Sequence, residues 1–188
     1  PAIEPERMQR YDEFPAQAFY DLTVCEAMAC AHPQLAYSPM STFGGACPGL
    51  TLMMRYGVPS VVRMRNCLPT TMQGFGHPEI STHVHNGHHA SESDGFPGNH
   101  YAPGHFWDFH FANIYAGNDP LEAKSTLWYH DHAMDFTAQN VHRGLAGFFL
   151  LFNDKDSGNE NDPNPDAYRL PSGVPDGKRV RNRYDIPL

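Results

Sequence analysis

No stretch of this chain approaches the ~20 consecutive apolar residues that a bilayer-spanning helix needs, so no membrane span is expected. Basic residues are scarce too: 13 Lys and Arg stand against 21 Asp and Glu, leaving a formal charge of -8. The one short basic run, Lys178-Arg179-Val180-Arg181, reads as a solvated loop. Such a balance does not seek phosphate backbones, and nucleic acid is excluded as a partner. Cysteine occurs four times, as Cys25, Cys30, Cys47 and Cys67, and never as a C-x-x-C pair. Buried free thiols and two disulfides in any of three pairings both fit that count. The chain opens on Pro1 with neither a basic nor an apolar leader segment, so any export signal is expected to be removed or to lie upstream.

What is present is a good-sized core and an excess of histidine. At 188 residues, 40% apolar and 18% charged, the chain reads as a soluble globular domain. Folding at that length buries roughly 70% of the surface exposed by the unfolded form. Four of the twelve histidines form two short pairs, His83-Val84-His85 and His130-Asp131-His132. On a strand, residues two apart share a face, and a rise of ~3.3 Å per residue sets them ~6.6 Å apart. That is long for chelating one ion and well suited to neighbouring ions, so the spacing suggests a metal cluster. Imidazole accepts copper, zinc, iron or nickel, and the element stays open at this point. Alternation also sets Trp128, His130 and His132 on one face and Leu127, Tyr129 and Asp131 on the other. Asp131 is thus expected to support the backbone or a ring rather than to join the ligands. The second N–H of each ligating imidazole is expected to find a backbone carbonyl. His88, His89 and His110 carry no clear assignment.

Short strands separated by Gly and Pro turns predict an all-β sandwich of Greek-key type. Residues 1–18, with Pro1, Pro5 and Pro15 among charges, read as an extended arm lying on something larger. Strands are expected at Phe19–Met28, Leu50–Arg55, Ser60–Asn66, Ile80–His85, Phe106–Phe111, Ser125–His132 and Gly147–Asn153, with one or two helical turns within Ala133–Arg143. Pro33, Pro39, Gly44, Gly45, Pro48 and Gly49 punctuate loops. The Asp-, Asn-, Gly- and Pro-rich stretch 154–166 reads as a mobile surface excursion, and a fresh strand is expected at 183–188.

Three segments carry a family likeness: Thr82-His83-Val84-His85-Asn86-Gly87, Ser93-Asp94-Gly95-Phe96-Pro97 and Leu127-Trp128-Tyr129-His130-Asp131-His132-Ala133-Met134. With Cys47-Pro48-Gly49, Arg143-Gly144-Leu145-Ala146-Gly147 and Leu170-Pro171-Ser172-Gly173, they resemble the first cupredoxin domain of the multicopper oxidases. The likeness is strongest to the bilirubin oxidase, spore-coat laccase and phenoxazinone synthase branch. It spans roughly residues 45 to 188, and the Trp-Tyr-His-Asp-His-Ala-Met string is its most specific part. It implies a cupredoxin-like domain over 19–175 and, over 176–188, the start of a linker to a missing second domain.

The resemblance further implies copper as cofactor, with His83 on a type 2 copper and His85, His130 and His132 on two type 3 coppers of a trinuclear cluster. Asp94 stands where the family places an acidic residue on the water or proton path. The family takes its other cluster ligands, and its type 1 copper, from a C-terminal domain with a His-Cys-His segment that does not occur here. The implied partners are therefore the remaining cupredoxin domains or a companion polypeptide, together with dioxygen and a phenolic, tetrapyrrole or metal-ion reductant. An extracellular, periplasmic or spore-surface location is likewise only implied. One departure is local: Asn86 stands where a glycine usually follows the first pair, and Gly87 comes next. A non-catalytic copper-binding module for storage or delivery is the alternative, and a mononuclear His-rich hydrolase or dioxygenase site is a more distant one.

Overall fold

The computed structural model describes residues 8–30 and 32–171. Eight strands are found among them: β1 (Ala18–Ala29), β2 (Ser38–Phe43), β3 (Gly49–Arg55), β4 (Ser60–Asn66), β5 (Thr82–His85), β6 (Phe106–Phe111), β7 (Thr126–Asp131) and β8 (Ala146–Phe152). One short helix, α1 (Thr137–His142), follows β7. The strands form two four-stranded sheets, ordered β2-β1-β4-β6 and β3-β8-β7-β5. Parallel β1·β4 and β3·β8 pairs sit among antiparallel ones, so the chain crosses repeatedly between the sheets. This is the expected all-β, cupredoxin-like sandwich.

Alternation builds the core. Leu22 and Val24 of β1, Val62 and Met64 of β4, and Phe109 and Phe111 of β6 face Leu52, Met54, Val84, Leu127, Tyr129 and Phe149 from the other sheet. Burying a side chain of this size contributes ~1.5–3 kcal/mol, so these strand faces fix the register. Tyr129 also donates its hydroxyl to Leu50 O at 2.6 Å, so its one polar atom is satisfied inside the sandwich. The outer face of the first sheet is polar: Arg63 makes two bonds to the buried Asp108, at 2.7 and 2.8 Å.

Several expectations are corrected. Residues 38–43, expected as loop, form β2; it lies at a sheet edge, where Pro39 removes no ladder bond that a central strand would need. Ile80 makes only an isolated bridge to Tyr101, and β5 begins at Thr82. None of the four cysteines is buried, and none is bridged. The described part of the arm makes contacts within this same domain. Met8 is buried, Gln9 N–H donates to Glu92 at 2.6 Å, and Tyr11 lies 5.1 Å from the ring of His110. The 154–166 stretch is built of Asx turns, Asn153 Oδ1 accepting from the amides of Lys155 and Asp156. Residues 1–7, the basic run at 178–181 and the strand expected at 183–188 lie outside the described residues.

Candidate metal centre

The two histidine pairs meet across one ladder. β5 pairs antiparallel with β7, His83 directly opposite His130 and His85 opposite Trp128. Thr82 and Val84 are buried, so His83 and His85 point away from the core on the outer face of the second sheet. Leu127 and Tyr129 are core residues, which turns Trp128 and His130 to that same outer face. The His83 ring centroid lies 5.8 Å from that of His85, 5.5 Å from His130 and 5.0 Å from His132. Donor nitrogens of His83, His85 and His130 all fall within 4.8 Å of one another, close enough to hold an ion. His132 is not part of that trio, although its ring is 5.6 Å from His130. Its Nδ1 is buried without a hydrogen-bond partner, as a group reserved for a ligand would be.

Backbone carbonyls fix two of the rings. His83 Nδ1 lies 2.5 Å from Asp94 O and His130 Nδ1 lies 2.7 Å from Asp131 O. A carbonyl only accepts, so each Nδ1 carries the proton and each Nε2 presents a lone pair, the tautomer a metal requires. The Nε2 of His130 sits 3.2 Å from His85 Nδ1. Burial pushes the pKa of His130 down to about 4, against its bond to Asp131 O and reinforced by the nearby histidines. Trp128 packs on both neighbours, 5.1 Å from His85 and 4.2 Å from His130, and restricts their rotation.

Asp94 contributes twice. Its carbonyl holds His83, and its carboxylate Oδ1 lies 3.3 Å from the same Nδ1. Burial raises its pKa, against the charges of His83 and His132. Gly95 makes this approach possible: a Cβ there would stand 2.1 Å from Thr82 O, and φ is +70°. The turn after β5 has its own demand for glycine. Asn86 takes φ 64°, a conformation Asn tolerates, while a Cβ on Gly87 would meet the His89 ring at 2.3 Å. The shift of glycine by one position thus leaves room for His89.

Beneath the rings lies a layer in which Asp131 supports the backbone, as its place on the strand predicts. Asp131 is fully buried and accepts from Ser81 N–H at 2.9 Å, Ala133 N–H at 3.2 Å and Asn140 Nδ2 at 2.9 Å. Ser81 O in turn accepts from the amide of His132 at 2.6 Å. One carboxylate therefore ties together the segments leading into β5, leaving β7 and entering α1. Burial raises the pKa of Asp131, opposed by those three donors and by the charge of His132. The lone buried Asp between two histidines was the available signal; Ser81 and Asn140 gave none.

The remaining histidines separate. His110 is buried, its Nε2 2.8 Å from Phe14 O. His89 lies 4.5 Å from Phe111 with both ring nitrogens buried and unpartnered, and burial takes its pKa to about 3. His88 is exposed. His88, His89 and His110 line a cleft of about 260 Å³ together with Gln9, Arg10 and Ala90.

Among known proteins, the chain is 30% identical to a bilirubin oxidase of Albifimbria verrucaria, matching 90% of this chain and 24% of that protein. It is also 30% identical to a laccase of Bacillus stratosphericus, over 98% of this chain and 35% of the laccase. The chain thus spans only about a quarter to a third of the length of these relatives. A multi-copper oxidase structure from Pseudomonas thermotolerans superposes with a TM-score of 0.58 at 25% identity, covering 73% of this chain and 30% of that one. A copper nitrite reductase of Nitrosomonas europaea shares the fold alone, with a TM-score of 0.55 at 15% identity over 73% of this chain and 42% of that one. The family profile described as multicopper oxidase matches residues 26–156, which hold β5, β7 and all four paired histidines, and the chain belongs to the multicopper oxidase family.

Proposed function

We propose that this chain supplies half of the ligands of a trinuclear copper cluster for the four-electron reduction of dioxygen to water. The oxidation of a phenolic, tetrapyrrole or metal-ion substrate would be coupled to it. His83 would serve the type 2 copper, and His85, His130 and His132 the type 3 pair. The carrying observation is the four imidazoles gathered together, two of them locked by carbonyls through Nδ1. Three nitrogen donors within mutual reach and an orphaned fourth ring suit copper, which favours imidazole.

Bound copper supplies the one-electron chemistry; the protein supplies geometry, exclusion and protons. Asp131 and Ser81 set the backbone from which His132 projects, and Trp128 restrains His85 and His130. Asp94 holds the His83 tautomer through its carbonyl, while its carboxyl, kept readier to hold a proton than an ordinary aspartate, can pass protons to reduced oxygen. The four histidines here do not enclose a cluster, so the companion ligands and the type 1 copper belong to further cupredoxin domains or a second polypeptide. An extracellular, periplasmic or spore-surface setting goes with that reading.

Metal content and oxygen uptake test it. The chain alone should retain copper without consuming oxygen, and adding the companion domains should start oxygen uptake at four electrons per molecule. Copper retention with no uptake after the companion is added would leave a copper-binding module for storage or delivery. Retention of only zinc or iron would point to a mononuclear site and overturn the assignment.

A further inference from the structure

Of the four cysteines, the fold brings two together. β1 and β4 run parallel and in register through Val24↔Asn66, and the ladder takes one more step as Cys67 N–H donates to Val24 O at 2.8 Å. Cys25 and Cys67 are therefore neighbours across the ladder, their side chains on the same face. Adjacent strands place such α-carbons ~4.8 Å apart, within the ~4.4–6.8 Å that a disulfide spans. Cys67 is exposed and Cys25 half-buried. The two side chains are close enough to interact: burial raises the pKa of Cys25, and the neighbouring Cys67 raises it further. The other two cysteines are engaged elsewhere. Cys30 Sγ donates to His32 O at 2.8 Å, and Cys47 Sγ lies beside Gly144.

We propose that Cys25 and Cys67 form an oxidisable pair, a site of thiol–disulfide exchange that staples β1 to the segment leaving β4. The oxidant is a small-molecule or protein disulfide. The exposed Cys67 thiolate attacks one of its sulfurs, the oxidant's S–S bond breaks, and one thiol departs. Cys25, as thiolate, then attacks Cys67 Sγ and releases the second thiol. Two protons and two electrons leave the protein as the Cys25–Cys67 bond forms, and the oxidant is reduced to two thiols. Because a raised pKa leaves little Cys25 thiolate at neutral pH, the second step speeds up as pH rises. The staple closes the segment from β1 through β4, just ahead of the connection that leads to β5 with His83 and His85. Asn66, beside Cys67, already anchors that connection through Pro78 O at 2.8 Å.

The test equilibrates the full chain with oxidised glutathione, alkylates the remaining thiols, and reads intact mass and peptide maps. The expected result is two alkylations rather than four, one linked peptide joining Cys25 to Cys67, and a Tm roughly 10 °C above that of the reduced chain. In Cys25→Ser, Cys67 should be trapped as a glutathione adduct. Since the first readout uses the unaltered chain, a variant that fails to fold does not blunt the test. Alkylation of all four cysteines after oxidation, a linked peptide using Cys30 or Cys47, or a persistent glutathione adduct on wild-type Cys67 would each overturn the proposal.

Discussion

Replacing Asp131 with Ala should damage stability and metal binding together, because the carboxylate lies under the histidines without touching their metal-facing nitrogens. It accepts from Ser81 N–H, Ala133 N–H and Asn140 Nδ2 at 2.9 to 3.2 Å, and it is fully buried. Alanine leaves three buried donors unsatisfied at about 1–3 kcal/mol each. Partial relaxation brings the total to about 3–5 kcal/mol. At roughly 2–4 °C per kcal/mol for a domain of this size, Tm should fall by about 10–15 °C. Copper affinity should drop at least ~10-fold, since His132 hangs from Ser81 O. Asp131→Asn should fall between, its amide keeping one acceptor oxygen while turning a donor against donors. Asn140→Ala combined with Asp131→Ala should cost less than the sum, by about 1 kcal/mol, because the two share one bond. Calorimetry of the metal-free chain and copper titration measure both effects. A Tm change under about 3 °C with unchanged copper affinity would refute the reasoning.

Gly95→Ala should weaken copper binding ~10-fold or more, because its Cβ would displace Thr82 O and loosen the carbonyl that holds His83; affinity within twofold of wild type would count against this. Arg143→Met should destabilise by about 3–5 kcal/mol, since the buried guanidinium meets Glu26, Ser41 Oγ and the carbonyls of Gln73 and Phe75; urea unfolding reads the loss, and Lys should restore little of it. In the metal-free chain, unfolded histidines take up protons near pH 6.5, whereas folded His130 and His89 stay neutral to about 4 and about 3. The unfolded state then binds more protons, so stability is full above pH 6.5 and falls as pH drops toward 4. Ring NMR should find both neutral at pH 5.5, and titration of either near 6.5 would contradict this. His89→Leu should stabilise the chain by about 1–2 kcal/mol by removing two unpartnered nitrogens from beside Phe111; a lower urea midpoint would mean the ring has a partner. His85→Ala should leave metal-free stability within about 0.5 kcal/mol, because the ring faces outward, yet remove most copper; a large loss of stability would show the ring packing into the fold.

The sandwich and its histidine face were legible because both rest on period two. The H-x-H spacing, with buried Val84 and buried Asp131 between the paired rings, needs only strand geometry to be read. What escaped was decided by contacts distant in sequence. β2 hid behind Pro39, since a sequence does not say which strand will lie at an edge. Asp94 was legible as an acid, but the grip of its carbonyl on His83 depends on the chain folding back at Gly95 against β5. Ser81 and Asn140 are ordinary polar residues until Asp131 is seen to collect their hydrogen bonds. The cysteines misled because thiols are usually buried; here Cys25 and Cys67 face outward, their neighbourhood set by a parallel pairing that no local pattern announces.

If the proposed function holds, the position of the ring cluster on the sheet bears on where companion ligands would come from. β5 is an edge strand of four residues, and short edges resist pairing with foreign strands, so the ladder is a poor candidate for the joint with another domain. The rings instead project from the sheet face, beside Trp128, which is 38% exposed, and near Phe96 and Met134, which are more exposed still. Phe96 and Met134 belong to one local framework: Ser81 Oγ donates to Phe96 O, and Met134 N–H donates to Pro97 O. Large apolar side chains around polar ligands resemble the rim of a protein interface, where burial supplies affinity and the enclosed polar groups supply specificity. A face-to-face joint would also exclude water from the metal, which edge pairing would not. Under the proposed function, a second body would dock on the outer face of β5 and β7 with its own nitrogen donors, instead of extending the sheet.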